Sequence, residues 1–407
     1  MKFMPAILFL CLCALQATAQ QVVSGKISNE AGQPIAGCSV FIANTVRGTS
    51  SAADGSFRLS DFPSGKHDLV ISAVGYETRV YTVSENLLPM SLNVVMKIKV
   101  KELENVTVEP SEEGTWAEWG KFFIDNFIGT TSNASQCHIN NTVDIRFRFY
   151  KKSRRLVAYT DKPIVIENNV LGYVIHYQLE DFEADFENGS VVFLGYSLFE
   201  EMTGKVKLIE RWEKSRQKAY EGSVMHFMRA IYQNRLQEEG FETRYLYHRE
   251  NTEKRRVMGV YQPYTRREIN GQLVVEFNAA ANKNLPKDSV NYYQSVLRQP
   301  NILNTTGTAL LAADSLLVKR ETGQVTILLR DDIQVIYRRQ KEEPGFVRFN
   351  PNLSTGSYRL SVVTALGDKL YTIDPSGNYA DPRAFFTGGY WGWSEKMANG
   401  LPLEYKQ

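Results

Sequence analysis

The chain has 407 residues, of which 43% are hydrophobic and 23% charged, with a formal net charge of +2. This is a globular composition, long enough for two or three domains and too apolar for a disordered chain. The near-zero net charge leaves no electrostatic case for nucleic-acid binding. Tyr and Phe, 21 of each, favour β structure.

Residues 1–20 read as an export signal. Lys2 supplies the positive charge, "AILFLCLCAL" the short apolar core, and "ATA" at Ala17 to Ala19 the small residues for cleavage. The expected mature start follows Ala19 or Gln20. Leu10 precedes Cys11 and Leu12 precedes Cys13, which does not fit a lipid-modified cysteine. No later stretch is long and apolar enough for a membrane helix. Outside the signal only Cys38 and Cys137 remain. A disulfide between them and two buried thiols are both compatible with the spacing.

Residues 21–98 alternate short β-prone runs with turns. "VVSGKIS" precedes the turn "NEAGQP", and "CSVFIAN" precedes a loop ending in "SAADGSFRL". "HDLVISAVGY", "ETRVYTV" and "SLNVVMKI" complete the set. Strands at this spacing, with no helical period, predict a β-sandwich. The Asp54-Gly55 pair supplies the positive φ of a tight turn, so its carboxylate is expected to serve the turn and not catalysis. The order of "SGKISNEAGQPIAGCSVFIANT", "GTSSAADGSFRL" and "SGKHDLVISAVGYET" resembles the carboxypeptidase-D regulatory-like domain, a transthyretin-like sandwich. In Bacteroidetes-type bacteria that module is common in exported proteins, including outer-membrane receptors. It accompanies enzymes without being catalytic. The resemblance therefore implies an accessory module in a periplasmic or outer-membrane-associated envelope protein.

Residues 99–114 read as a charged linker. Within it "ELENVTV" resembles the segment leading into the plug of TonB-dependent receptors. The remaining chain is too short for a plug and barrel, so receptor function is not expected.

Residues 115–407 predict one larger β-rich α+β domain with about two helices. Trp116, Trp119, Phe123 and Phe127 recur at helical spacing behind a Thr115 cap with Glu118 three residues on. In "DIRFRFY" Ile145, Phe147 and Phe149 share one face of a strand. A second helix is expected over 214–239, with Val224, Phe227, Met228, Ile231 and Leu236 inward and Gly240 as its stop.

The five histidines form no H-E-x-x-H pair, and no nucleophile elbow, phosphate loop or paired CxxC occurs. No catalytic residue, metal ligand or cofactor is assigned. Three constellations stand out. His226 on the second helix suits either a general base lacking an identified carboxylate or a core histidine. "DPSGNYADP", with Asp374, Ser376, Asn378 and Asp381, suits either a calcium loop or Asx turns. "GGYWGWSEK" offers Tyr390, Trp391 and Trp393 as ligand-binding rings or as core.

The favoured reading is a non-enzymatic envelope protein, mainly β, whose larger domain binds a partner protein or a glycan. A periplasmic hydrolase drawing on His176, His226 or Asp381, and a small outer-membrane barrel, are the alternatives.

Overall fold

The computed structural model describes residues 21–99, 109–261, 264–269, 272–277, 285–349, 356–366, 370–379 and 385–406, with the backbone alone over 264–277. The expected signal, Asp381 and most of the expected linker lie outside the described residues. Among the described residues the architecture is mainly β, in six sheets.

The first part is a sandwich. Strands Ser56–Leu59, Val23–Asn29 and Met90–Met96 form one sheet, with Val23–Asn29 and Met90–Met96 parallel. Gly48–Ser50, Ser39–Ile42, Lys66–Ser72 and Arg79–Ser84 form the other. Alternation puts Val40, Ile42, Leu69, Ile71 and Val83 between the sheets, facing Val23, Ile27, Phe57 and Val94. Cys38 belongs to this core, whereas Cys137 lies in that of the next part; both are buried and free, so the two do not pair.

Among the described residues of 109–406 there are two large hydrophobic clusters and a small one of Val257, Tyr261 and Val296. The first lies between a seven-stranded sheet and the helix Trp116–Phe127. Thr115 caps that helix by accepting from the Glu118 amide at 3.3 Å, and Phe123 and Phe127 are fully buried. The strand Arg146–Tyr150 buries Phe147, while Arg146 and Arg148 lie over the Tyr159 ring. Ile145, Phe147, Leu156 and Ile175 thus face a protein core. A small outer-membrane barrel would need its apolar face outward, whereas these strands turn theirs into the core. Ser111–Gly114, expected to be linker, is a strand paired with Arg146–Tyr150.

The second cluster lies under a five-stranded sheet that includes Phe241–Glu250, Asp332–Lys341 and Tyr358–Ala365. The expected 214–239 helix is instead two helices, Val206–Tyr220 and Val224–Tyr232. Glu221 turns extended, Gly222 adopts φ +77°, and Ser223 starts the new helix by accepting from the His226 amide at 3.1 Å. Periodicity was continuous across the break because both helices bury apolar faces: Trp212 and Tyr220 on the first, Val224, Phe227, Met228 and Ile231 on the second, with Leu236 buried in the turn beyond it and Gly240 past the end of the second helix at Tyr232. Eight α-helices occur among the described residues, against about two expected. The additional ones are short or lie in segments dominated by charged and aromatic residues, where period is hard to read. None is long and apolar enough to cross a membrane.

Candidate functional site

The sandwich packs against both clusters of the larger part, and the space between forms a cleft of about 640 Å³. On one side the contact is with the long strand Ser190–Glu201. Asn44, at φ +61°, donates its amide to Ser197 O at 2.7 Å, and Phe199 donates to Thr45 O at 2.9 Å. Leu403 closes the same joint by donating to Asn44 O at 2.8 Å. Ser72 Oγ donates to Gln178 Oε1 at 2.8 Å in a buried position, and Phe41, Ala43 and Val70 pack on Tyr196 and Leu198. On the other side the Asp374 loop meets the sandwich. Asn378 Nδ2 donates to Lys66 O at 3.1 Å, and His67 Nε2 lies 3.6 Å from Asp374 Oδ2.

The Asp374 loop is an Asx turn. Asp374 Oδ1 accepts from the Ser376 amide at 2.8 Å, the Ser376 hydroxyl at 2.5 Å and the Asn378 amide at 3.2 Å. Arg229 fixes it from below, donating to Ser376 O at 2.8 Å, Leu403 O at 3.0 Å and Tyr405 O at 2.9 Å. One Asp374 oxygen thus serves the turn while the other faces His67. No group of three or more His, Cys, Asp or Glu among the described residues is placed to hold a metal ion.

Aromatic and polar groups alternate around the cleft. Tyr177, Phe193 and Tyr196 come from the seven-stranded sheet, Tyr379 from the edge of the second cluster, Phe386 from the strand Phe385–Gly389, and Asn44, Lys66 and Thr82 from the sandwich. Phe386 is 49% exposed at the rim. Glu395 and Lys396 line the cleft just past the helix Tyr390–Ser394. Both keep some solvent contact through the cavity although packed protein surrounds them. That desolvation pushes the Glu395 carboxyl up to about 7, opposed by the Val224 amide and by Arg359. It also depresses Lys396, which extends over the Phe193 ring, 5.4 Å from its centroid.

The rings singled out in the sequence sit mostly behind this surface. Tyr390, Trp391 and Trp393 are 2%, 2% and 6% exposed. Trp391 Nε1 donates to Gly222 O at 2.7 Å, Trp393 Nε1 to Thr130 Oγ1 at 2.9 Å, and Tyr390 Oη to Glu343 Oε1 at 3.1 Å. Their apolar area is spent in the core, and of the three only Trp391 also backs the cleft. The chemistry of "GGYWGWSEK" resides in its last two residues, which sequence reasoning passed over beside so much aromatic area.

His176 and His226 do not reach the cleft; among the described histidines only His67 lines it. His176 lies on a solvated strand face beside Glu200, with its side chain 37% exposed. His226 is buried among Tyr220, Phe241 and Tyr337. Its carboxylate partner is Glu239, at 3.4 Å, and its Nδ1 accepts from the Gly222 amide at 3.1 Å. The ring therefore accepts at Nδ1, and burial holds its pKa below the ordinary histidine value. This is a core histidine that fixes the helix break.

No curated protein matches the chain. Among solved structures, a type II cohesin–X-dockerin complex from Acetivibrio cellulolyticus aligns at 20% identity over 19% of this chain and 57% of that one, with a TM-score of 0.17. A DUF3823 family protein from Bacteroides ovatus aligns at 14% identity over 45% and 81%, with a TM-score of 0.12. A putative membrane-associated protein of unknown function from Bacteroides fragilis aligns at 8% identity over 91% and 93%, with a TM-score of 0.16. The chain thus spans under two thirds of the cohesin–dockerin chain, and these likenesses are loose. Residues 23–108 match the family model described as the CarboxypepD_reg-like domain, and the chain carries such a domain as its sandwich.

Proposed function

We propose that this protein is a non-enzymatic component of the cell envelope, exported by its first twenty residues, that binds a short glycan between its sandwich and its larger part. The cleft carries this reading. It is concave and has the volume of a small-ligand site. Its half-exposed rings, Phe193 and Tyr196, and its rim ring Phe386 offer faces to the apolar side of a sugar. Asn44, Thr82 and Asn378 offer donors and acceptors for hydroxyls. A partner protein would more naturally use a flat patch, so the cleft favours the glycan of the two expected ligand classes. The sandwich here supplies one wall, which gives the accessory module a role in binding.

The test is calorimetric titration of short oligosaccharides, chosen from a glycan array, into the full mature chain. Phe386→Ala should weaken binding several-fold without moving the melting temperature, because the ring is exposed. Absence of any glycan binding, or full affinity in Phe386→Ala together with Tyr196→Ala, would overturn the reading. Export is tested separately by fractionation and by N-terminal sequencing of the native protein.

One observation favours a second reading. A carboxyl held near neutrality in a cleft is suited to proton transfer, and Glu395 would be the acid of a hydrolase. Incubation of the bound glycan with the wild type decides between the two. Cleavage that disappears in Glu395→Gln supports the hydrolase, and an intact glycan supports binding alone.

A further inference from the structure

The cleft holds two cations, one from each of the parts that form it. Lys66 lies at the start of a sandwich strand, and Lys396 projects from the segment after Trp391. Neither makes an ion pair with a carboxylate among the described residues. Lys396 instead rests over Phe193, so its ammonium has lost much of its water and has gained only a ring face in exchange. The acids on the same wall are engaged elsewhere: Asp68 accepts from Thr82 Oγ1 at 2.8 Å, and Glu395, which stays protonated up to about 7, accepts from the Val224 amide. A desolvated cation at a cavity wall without a counter-charge is an anion site in waiting.

Resting on the glycan reading above, we infer that the ligand is an acidic oligosaccharide whose carboxylate or sulfate group is bound by Lys396, with Lys66 adding attraction from the sandwich wall. The adjoining rings would hold the sugar face while the ammonium takes its charge. This arrangement selects against neutral glycans of the same shape, because a neutral hydroxyl would leave the ammonium without its counter-charge.

The experiment is a glycan array bearing uronic-acid, sulfated and neutral oligosaccharides, probed with the full mature chain, followed by calorimetry on each hit. Acidic glycans should dominate the hits. Lys396→Gln should weaken them by about tenfold or more, while Lys396→Arg retains most of the affinity, because an anion bond to a desolvated cation is of that size. Raising the salt from about 0.05 M to about 0.5 M should weaken wild-type binding, and this readout stands even if Lys396→Gln fails to fold. Hits confined to neutral glycans, undiminished acidic binding by a folded Lys396→Gln, or indifference to salt would overturn the inference while leaving the cleft a glycan site. No hit of either kind would remove both readings.

Discussion

His67 and Asp374 meet across the joint between the sandwich and the larger part, Nε2 to Oδ2 at 3.6 Å, with side chains only 1% and 6% exposed. The histidine also contacts Ser64 O at 2.8 Å, and Gly65 beside it adopts φ +103° with space closed by the Asp374 carboxylate. Asp374 therefore carries two duties, shaping its own loop and facing the sandwich. Asp374→Ala should cost about 1–3 kcal/mol, since it strands the Ser376 and Asn378 amides and leaves His67 without its neighbour. Urea denaturation measures the loss. Glycan affinity should fall as well, because Asn378 and Tyr379 of the same loop line the cleft. Unchanged stability would show that the joint does not depend on this pair.

Glu395 predicts an unusual pH response. The folded chain keeps its proton up to about 7, whereas an ordinary carboxyl releases it near 4.5. Between these values the folded state binds more protons than the unfolded state, so this group's contribution is complete below 4.5 and is lost as the pH rises through 7. Each pH unit between the two is worth about 1.4 kcal/mol, and water in the cleft screens part of it, leaving roughly 1–2 kcal/mol. Glu395→Gln should therefore melt above the wild type at pH about 8, with the gap closing towards pH about 4.5. Melting curves across this range check it; a gap that widens on acidification would contradict the sign.

Gly222 should tolerate no side chain. A Cβ there would lie 2.5 Å from Tyr337 Cδ1, and the residue sits at φ +77° while its carbonyl accepts from Trp391. Gly222→Ala should cost about 1–3 kcal/mol through strain and overpacking. Trp391→Ala should cost about 3–5 kcal/mol, the range for emptying a buried aromatic site. Chemical denaturation of both variants provides the check. Neutral outcomes would mean that the helix break and its ring are not structural.

The sandwich turn separates two kinds of residue. Asp54 Oδ1 accepts from the Ser56 amide at 3.0 Å and the Ser56 hydroxyl at 2.6 Å, entirely at the surface. Gly55 adopts φ +76°, and a Cβ there would lie 2.3 Å from Ile27 O. Asp54→Ala should lower the melting temperature slightly and leave glycan binding intact, whereas Gly55→Ala should destabilise much more. A larger effect at Asp54 than at Gly55 would reverse this assignment.

The sandwich was legible because local signals sufficed: alternating apolar residues, Gly-bearing turns and the order of motifs all agree with one arrangement. The helix at Trp116 was equally clear from its spacing and cap. The break at Gly222 was not, since apolar period persists through it and the turn is held by Tyr337, Trp391 and His226, which come from elsewhere in the fold or bond back to it. The cleft was illegible for a different reason. Asn44, Phe193 and the Phe386–Lys396 segment lie far apart in the chain and share no spacing. His226 shows the converse, since Glu239, 13 residues on, reaches it only by the turn after the second helix. Burial of the three rings in "GGYWGWSEK" likewise depends on sheets assembled elsewhere.

The joint made by Asn44, Thr45 and Ser72 also bears on how the protein should be divided for study. Cutting the chain ahead of Thr115 looks natural, because the recognisable module ends before it. Such a fragment would lack one wall of the cleft and would present Tyr196 and Leu198, together with an unpaired length of the Ser190–Glu201 strand, to water. An exposed apolar strand of this kind invites self-association. The fragment should therefore be sticky and unable to bind, and inactivity in it would reflect the missing wall more than the chemistry of the intact molecule.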